Sequence, residues 1–245
     1  EGGEWSETEL GTPQGAVISP LLANVYLHYA FDLWVKWWRK KFAFGEVLVV
    51  RYADDFVMGF QHRNEAERFL KELQGRLAKF GLALHPDKTR LIEFGRFAAE
   101  NRKKRGEGKP ETFNFLGFTH VCGKTHRNGV FVVARRTMAK RLRVKLRDVK
   151  VALMRRRHTP VAKLASWLSA VVRGYLNYHA VPGNYDAVAA FRTQVIRHWY
   201  KALKRRSQRT RLTWEKFGAL ANAWLPAAHI IHPQPNVRFY AKHPT

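Results

Sequence analysis

A single cysteine, Cys122, leaves neither an internal disulfide nor a paired-cysteine zinc site open to this chain. The chain also lacks any run near the ~20 consecutive apolar residues of a membrane-spanning helix, and no signal-peptide pattern opens it. Together these absences describe a cytoplasmic protein without disulfides. The first residue is Glu1, not Met, so the chain is expected to begin inside a longer protein. Acidic residues are scarce too: 19 Asp and Glu stand against 44 Lys and Arg, a net charge of +25.

The scarcity is uneven. Residues 1–95 hold 12 Lys and Arg and 13 Asp and Glu, a net −1, whereas residues 96–245 hold 32 and 6, a net +26. A surface built for solubility would mix both signs, so the surplus points to a polyanionic partner, most often nucleic acid. No lipidation signal accompanies the basic helices, which argues against a membrane surface. At 46%, hydrophobic residues suffice for a packed core.

The opening, 1–15, is polar and Gly-rich and reads as an arm and loop. A helix is predicted from Ser19, as N-cap before Pro20, to about Lys41, with Leu22, Val25, Tyr26, Tyr29, Leu33 and Trp37 at helical spacing. Two apolar runs, 47–52 and 56–60, flank Ala53, Asp54 and Asp55 and predict a β-hairpin. An amphipathic helix over 65–80 ends at Gly81, and a short strand pair is expected at 82–84 and 90–94. Charged residues 97–112 read as an exposed loop, and 113–121 with 129–133 as another hairpin. After Ala134 the period turns helical, with stripes Met138–Leu142–Leu146–Val149–Leu153 and Val161–Leu164–Leu168–Val171–Tyr175, the second capped at Thr159-Pro160. Further helices are predicted at 185–204 and 213–224, then a Pro-rich irregular tail. The fold class is therefore α+β, followed by an all-α basic module, with a boundary between residues 134 and 135.

Asp54 and Asp55 are odd residues for a turn that usually takes Gly or Asn. Adjacent carboxylates repel and add little to folding, but a divalent cation would neutralise them. Mg²⁺ typically takes one or two protein carboxylates plus substrate phosphates. When those four letters stand alone, a solvated acidic turn is the better explanation of YADD, since short motifs recur by accident.

The neighbouring segments decide between them. GTPQGAVISPLLANVYLHYAFD at 11–32, FGLALHPDKTRLIEFG at 80–95 and FNFLGF at 113–118 resemble, in order and spacing, the later blocks of reverse transcriptases, especially those of bacterial group II introns. Residues 155–214 resemble that family's thumb or maturase region, RGYLNYH at 173–179 in particular, and 225–244 the C-terminus of some members. Nothing supplies the HNH endonuclease that some members add. The resemblance implies a partial palm, an antiparallel sheet with helices, over 1–134 and an α-helical RNA-binding thumb over 135–245. The fingers and early palm would precede Glu1.

The resemblance also implies roles. Asp54 and Asp55 would hold catalytic Mg²⁺, with Lys88 beside the triphosphate. Gln14, Gly15 and Ala53 would border the incoming nucleotide and templating base, and Tyr52, Phe115, Leu116 and Gly117 the primer end. A further palm aspartate belongs before the GTPQG block, and Asp32 does not replace it, so the isolated chain is expected to be catalytically incomplete. Implied partners are group II intron RNA, an RNA template with DNA primer, and dNTPs, with a homodimer among the open oligomeric states. Cationic candidates for RNA are Arg135, Arg136, Lys140 and Arg143 on the first basic helix and Lys201, Lys204, Arg205, Arg206 and Arg209 near the third's end. Interleaved aromatics, including Trp167, Tyr175, Tyr178, Trp199, Tyr200 and Trp214, either stack on bases or fill the core. His229 and His232 lack a neighbour to complete a metal site. A maturase that does not polymerise, a degenerate fragment and another bacterial reverse transcriptase type stay open as alternatives.

Overall fold

Sixteen apolar and aromatic side chains gather into the core of a first compact unit, Glu1–Ile92, and a larger core fills a second, Glu93–Thr245. The computed structural model describes residues 17–125, 128–207 and 211–235. The described residues mix helices with two small antiparallel sheets, as α+β predicts. The division at 92 and 93 leaves the second sheet in the helical unit, whereas the expected boundary followed the change from strand to helix.

In the first unit, α1 (Ser19–Leu27) passes through a π-helical turn (His28–Asp32) into α2 (Leu33–Phe42). Ile18, not Ser19, is the N-cap residue, with no side-chain cap bond. The stripe read from the sequence is not the face turned to the core: Leu22, Val25, Tyr26, Tyr29, Leu33 and Trp37 are all exposed, while Ala30, Phe31, Val35 and Trp38 are buried. The helix is apolar on two sides, and periodicity alone does not say which side a neighbour covers. Strands β1 (Val47–Tyr52) and β2 (Asp55–Phe60) and helix α3 (Arg63–Ala78) cover the Phe31 side. Trp38 donates from Nε1 to Glu72 Oε2 at 2.6 Å, and Arg76 donates to the carbonyls of Tyr29 and Ala30 in the π turn.

Beyond α3, Gly81 takes φ +64°, the left-handed conformation that suits a glycine. The strand pair expected at 82–84 and 90–94 does not form: among the described residues no strand pairs with either segment. Leu82 and Leu84 still pack on the first core, so alternation reported burial without a ladder. The charged stretch expected as an irregular loop instead contains α4 (Ala98–Lys104). Its cations find partners close by: Lys104 pairs with Glu100 (2.9 Å), Arg102 with Glu107 (3.2 Å), and Arg105 with Glu93 and Glu107.

The expected hairpin at 113–133 is a three-stranded sheet in the order β3 (Phe113–Phe115), β4 (Phe118–Lys124), β5 (Phe131–Thr137). Strand β5 runs past Ala134, so Arg135 and Arg136 lie on a strand opposite His120 and Thr119, and not on the first basic helix. That helix, α5, begins at Ala139 and ends at Arg155. It packs against α7 (Tyr185–Lys204), and its Val149 and Leu153 join α6 (Val161–His179), α7 and α8 (Trp214–Trp224) in one core that includes Leu168, Phe191, Trp199 and Phe217. Thr213 caps α8 with Oγ1 accepting from the Lys216 amide, whereas Pro160 before α6 offers no side-chain cap. Tyr175 is buried and stacks on Phe191 at 3.7 Å.

Buried Asn184 ties three elements together. Its Oδ1 accepts from the Thr137 amide at 2.9 Å, and its Nδ2 donates to Thr137 Oγ1 and to the His179 carbonyl, both at 2.8 Å. His179 Nδ1 lies 3.3 Å from Thr137 Oγ1. Burial, reinforced by the Arg141 charge, pushes the His179 ring down from 6.5 to about 4. The folded ring therefore stays neutral where the unfolded one takes a proton. Stability from this site is complete above about 6.5 and drains away as pH falls towards about 4. The slope is at most about 1.4 kcal/mol per pH unit, and less because the ring is partly exposed. Urea denaturation between pH 7.5 and 4.5 should show a shallower acid-side loss in His179→Gln than in the wild type.

Candidate functional site

The two carboxylates stand at the tip of the β1–β2 hairpin. Register pairs Arg51 with Phe56 and Tyr52 with Asp55, which leaves Ala53 and Asp54 as a two-residue turn. Asp55 is thus the first residue of β2. Ala53 adopts φ +53° at the first turn position, where glycine is the usual occupant. A side chain in that conformation costs about 1–2 kcal/mol, a strain that persists only where surrounding contacts enforce it.

Strand parity explains the enforcement. Val47 and Val49 point towards the first core, and Arg51 shares their side, while Leu48, Val50 and Tyr52 are exposed on the other. A guanidinium on the inner side needs partners, and it has them. Arg51 donates from Nε to Asp32 Oδ1 (2.8 Å) and from Nη2 to Asp32 Oδ2 (2.6 Å), a bidentate pair. Its Nη1 donates to Asn24 Oδ1 and to the Ala53 carbonyl, each at 2.9 Å. These hydrogen bonds hold the Asp32 carboxyl below the ordinary carboxylate value, although burial opposes them.

Asp54 and Asp55 are exposed, and among the described residues neither has an ion-pair partner. Two hard, uncommitted oxygen donors at a strained turn fit a divalent cation of the Mg²⁺ class as part of its coordination. Among the described residues no cluster of three or more His, Cys, Asp and Glu side chains exists, so this pair would need further oxygens from phosphate, water or other carboxylates.

This hairpin lies inside the stretch of the chain that resembles a known family. Residues 1–120 match the reverse transcriptase (RNA-dependent DNA polymerase) family. The reverse transcriptase match takes in the first unit whole and reaches through β3 into the second. No curated protein matches the chain. Of the other residues singled out in the reverse transcriptase region, Tyr52 and Lys88 are exposed, Lys88 in a turn where its amide bonds the His85 carbonyl at 3.2 Å. Gln14 and Gly15 lie outside the described residues.

In the second unit Phe115 ends β3 opposite Phe118, and Leu116 and Gly117 form the two-residue turn into β4. Leu116 takes φ +47° and Gly117 +80°. From α6, Tyr178 donates its hydroxyl to the Leu116 carbonyl at 2.7 Å and stacks on Phe118, while the Met138 amide bonds the Gly117 carbonyl at 3.1 Å. RGYLNYH thus clamps FNFLG, a pairing that residue spacing did not reveal.

The cations of the second unit divide by exposure. Lys140, Arg143, Lys201, Lys204 and Arg205 are exposed, as is Arg136. Arg135 is half-buried, and Arg206 reaches inward to the Thr159 carbonyl at 2.6 Å. Arg209 lies outside the described residues. An open groove of about 510 Å³ along α5 is lined by Arg147, Lys150, Met154, Arg155, Arg157 and His158. Of the interleaved aromatics, Trp199 is fully buried, Trp167 packs half-buried under Arg156, and Tyr178 and Trp214 are exposed. His229 and His232 bond the Ala227 and Asn177 carbonyls, and among the described residues they belong to no group of three or more His, Cys, Asp and Glu side chains.

A Cβ at Gly117 would lie 3.2 Å from Arg141 Nη1, an atom able to swing aside, so backbone strain sets the cost of adding one. Gly117→Ala should lower stability by about 1–2 kcal/mol in urea denaturation, whereas Gly75→Ala, in a helix with open space, should not destabilise.

Proposed function

We propose that this chain is the later palm and the thumb of a group II intron reverse transcriptase, joining nucleotides to a DNA primer on an RNA template and binding its intron RNA. The observation that carries the reading is the strained hairpin presenting Asp54 and Asp55, unpaired, within the segment that matches reverse transcriptases. Phosphoryl transfer asks a protein for positioning and charge neutralisation more than for a nucleophile. A divalent cation, when bound, supplies that neutralisation at the triphosphate and activates the primer hydroxyl.

Asp54 and Asp55 would furnish carboxylate oxygens for it, and Mg²⁺ is the ion their hardness suits. Ala53 is small and exposed, which leaves room for a nucleotide sugar against the turn. Exposed Lys88 would meet the triphosphate, and Gln14 with Gly15 the nascent base pair. Tyr52, Phe115, Leu116 and Gly117 would meet the primer end. In the second unit, Lys140 and Arg143 on α5 share an exposed basic face with the groove around Arg147, and Lys201, Lys204 and Arg205 add the end of α7. This surface, on which Asp148 of α5 stands among many more cations, supports RNA phosphate contact and the maturase role in splicing and mobility.

Asp54→Ala is expected to abolish primer extension by the intact protein while leaving intron RNA affinity within about twofold. Both are measured on one preparation, and extension near the wild-type rate would refute the metal-ligand role. RNA affinity should fall at least about 100-fold between roughly 50 and 200 mM salt, through release of counterions from neutralised phosphates. A flat salt titration would remove phosphate contact as the source of affinity.

A further inference from the structure

We infer that Arg51, neutralised by Asp32 and steadied by Asn24, is the positioning residue that holds the Ala53–Asp54 turn in the conformation its carboxylates need. This rests on the reading of Asp54 and Asp55 as metal-binding carboxylates. Arg51 makes four hydrogen bonds, and the one to the Ala53 carbonyl lands on the single positive-φ residue of the hairpin. The remaining three anchor the guanidinium to the helix that packs beneath the strand.

Stability alone does not account for this arrangement. A partly buried ion pair is frequently no more stabilising than apolar side chains of the same size, so the inner side of β1 could have continued as valine after Val47 and Val49. What apolar residues lack is a donor that reaches the turn carbonyl. Asp32 is half-exposed and already committed to Arg51 on both oxygens, so its part is to fix the guanidinium rather than to meet a substrate. Lysine would keep the charge but has no planar fork to serve a carboxylate and a backbone carbonyl together.

The test compares the intact wild-type protein with Arg51→Lys, Asp54→Asn and the double variant Asp32→Leu/Arg51→Met, which removes both charges and leaves neither orphaned. Three quantities are read: Mn²⁺ affinity by electron paramagnetic resonance, the thermal unfolding midpoint, and kcat with KM for dNTP in primer extension. Arg51→Lys and the double variant should weaken Mn²⁺ binding and lower kcat by about 10- to 100-fold, as loss of a group supporting metal ligands does. KM should stay within about threefold and the unfolding midpoint within a few degrees. Wild-type Mn²⁺ binding and kcat in either variant, alongside an inactive Asp54→Asn, would overturn the positioning role alone. Losses that appear only as the unfolding midpoint collapses would overturn it too, leaving Arg51 as a purely structural residue. Normal Mn²⁺ binding and extension by Asp54→Asn would instead overturn the underlying metal reading, and the inference with it.

Discussion

A charged side chain on the inner side of a two-stranded sheet has to be neutralised where it stands, because the hairpin is too thin to move it to water. In the first unit that requirement is met by Asp32, and meeting it joins the hairpin to the helix below. The helix in turn depends on its π turn, whose carbonyls are taken up by Arg76 from α3. The chain of contacts therefore runs from α3 through the π turn to Asp32, Arg51 and the carbonyl of Ala53. At its end lie the two carboxylates, exposed and free of ion-pair partners among the described residues.

The second unit solves a similar problem with neutral groups. Here a turn with two successive positive φ values, at Leu116 and Gly117, is clamped by a tyrosine hydroxyl and a backbone amide. Asn184 holds the neighbouring strand end against α6 and α7 through Thr137 and His179, using every hydrogen-bonding atom it buries. Both units thus place a strained turn on a sheet and stabilise it from a helix, once by an ion pair and once by a hydroxyl and an amide. Local strain of this kind is tolerable because the helices that enforce it are anchored by large apolar cores.

Several sequence readings failed for one shared reason: they treated a local pattern as though its neighbours were known. The helix over 19–42 has apolar residues on two sides, and the better-spaced set, from Leu22 to Trp37, is the exposed one. Residues 82–94 alternate like strands, but a strand also needs a partner ladder, which no described residue provides. The run at 97–112 looked too charged to fold, yet Glu93, Glu100 and Glu107 stand at distances that let its cations close a short helix. Arg135 and Arg136 open a cationic run that reads as helix, although three strand pairings carry β5 past them.

Composition and order alone determined the mixed class of the fold, the carboxylate hairpin, the helical stripes of the second unit and the one-sided distribution of charge. Those are properties of residue type and spacing, and they survive in one dimension. Tertiary structure alone decided which helix face is buried, which cations are spent on internal carbonyls, and what holds the two turns. Each of these depends on residues far apart in the chain, such as Asp32 with Arg51 or Leu116 with Tyr178, meeting at hydrogen-bond distance. The inward parity of Arg51 was visible in the alternation of Val47, Val49 and Arg51, but its partner was not, because a partner's identity is set by packing.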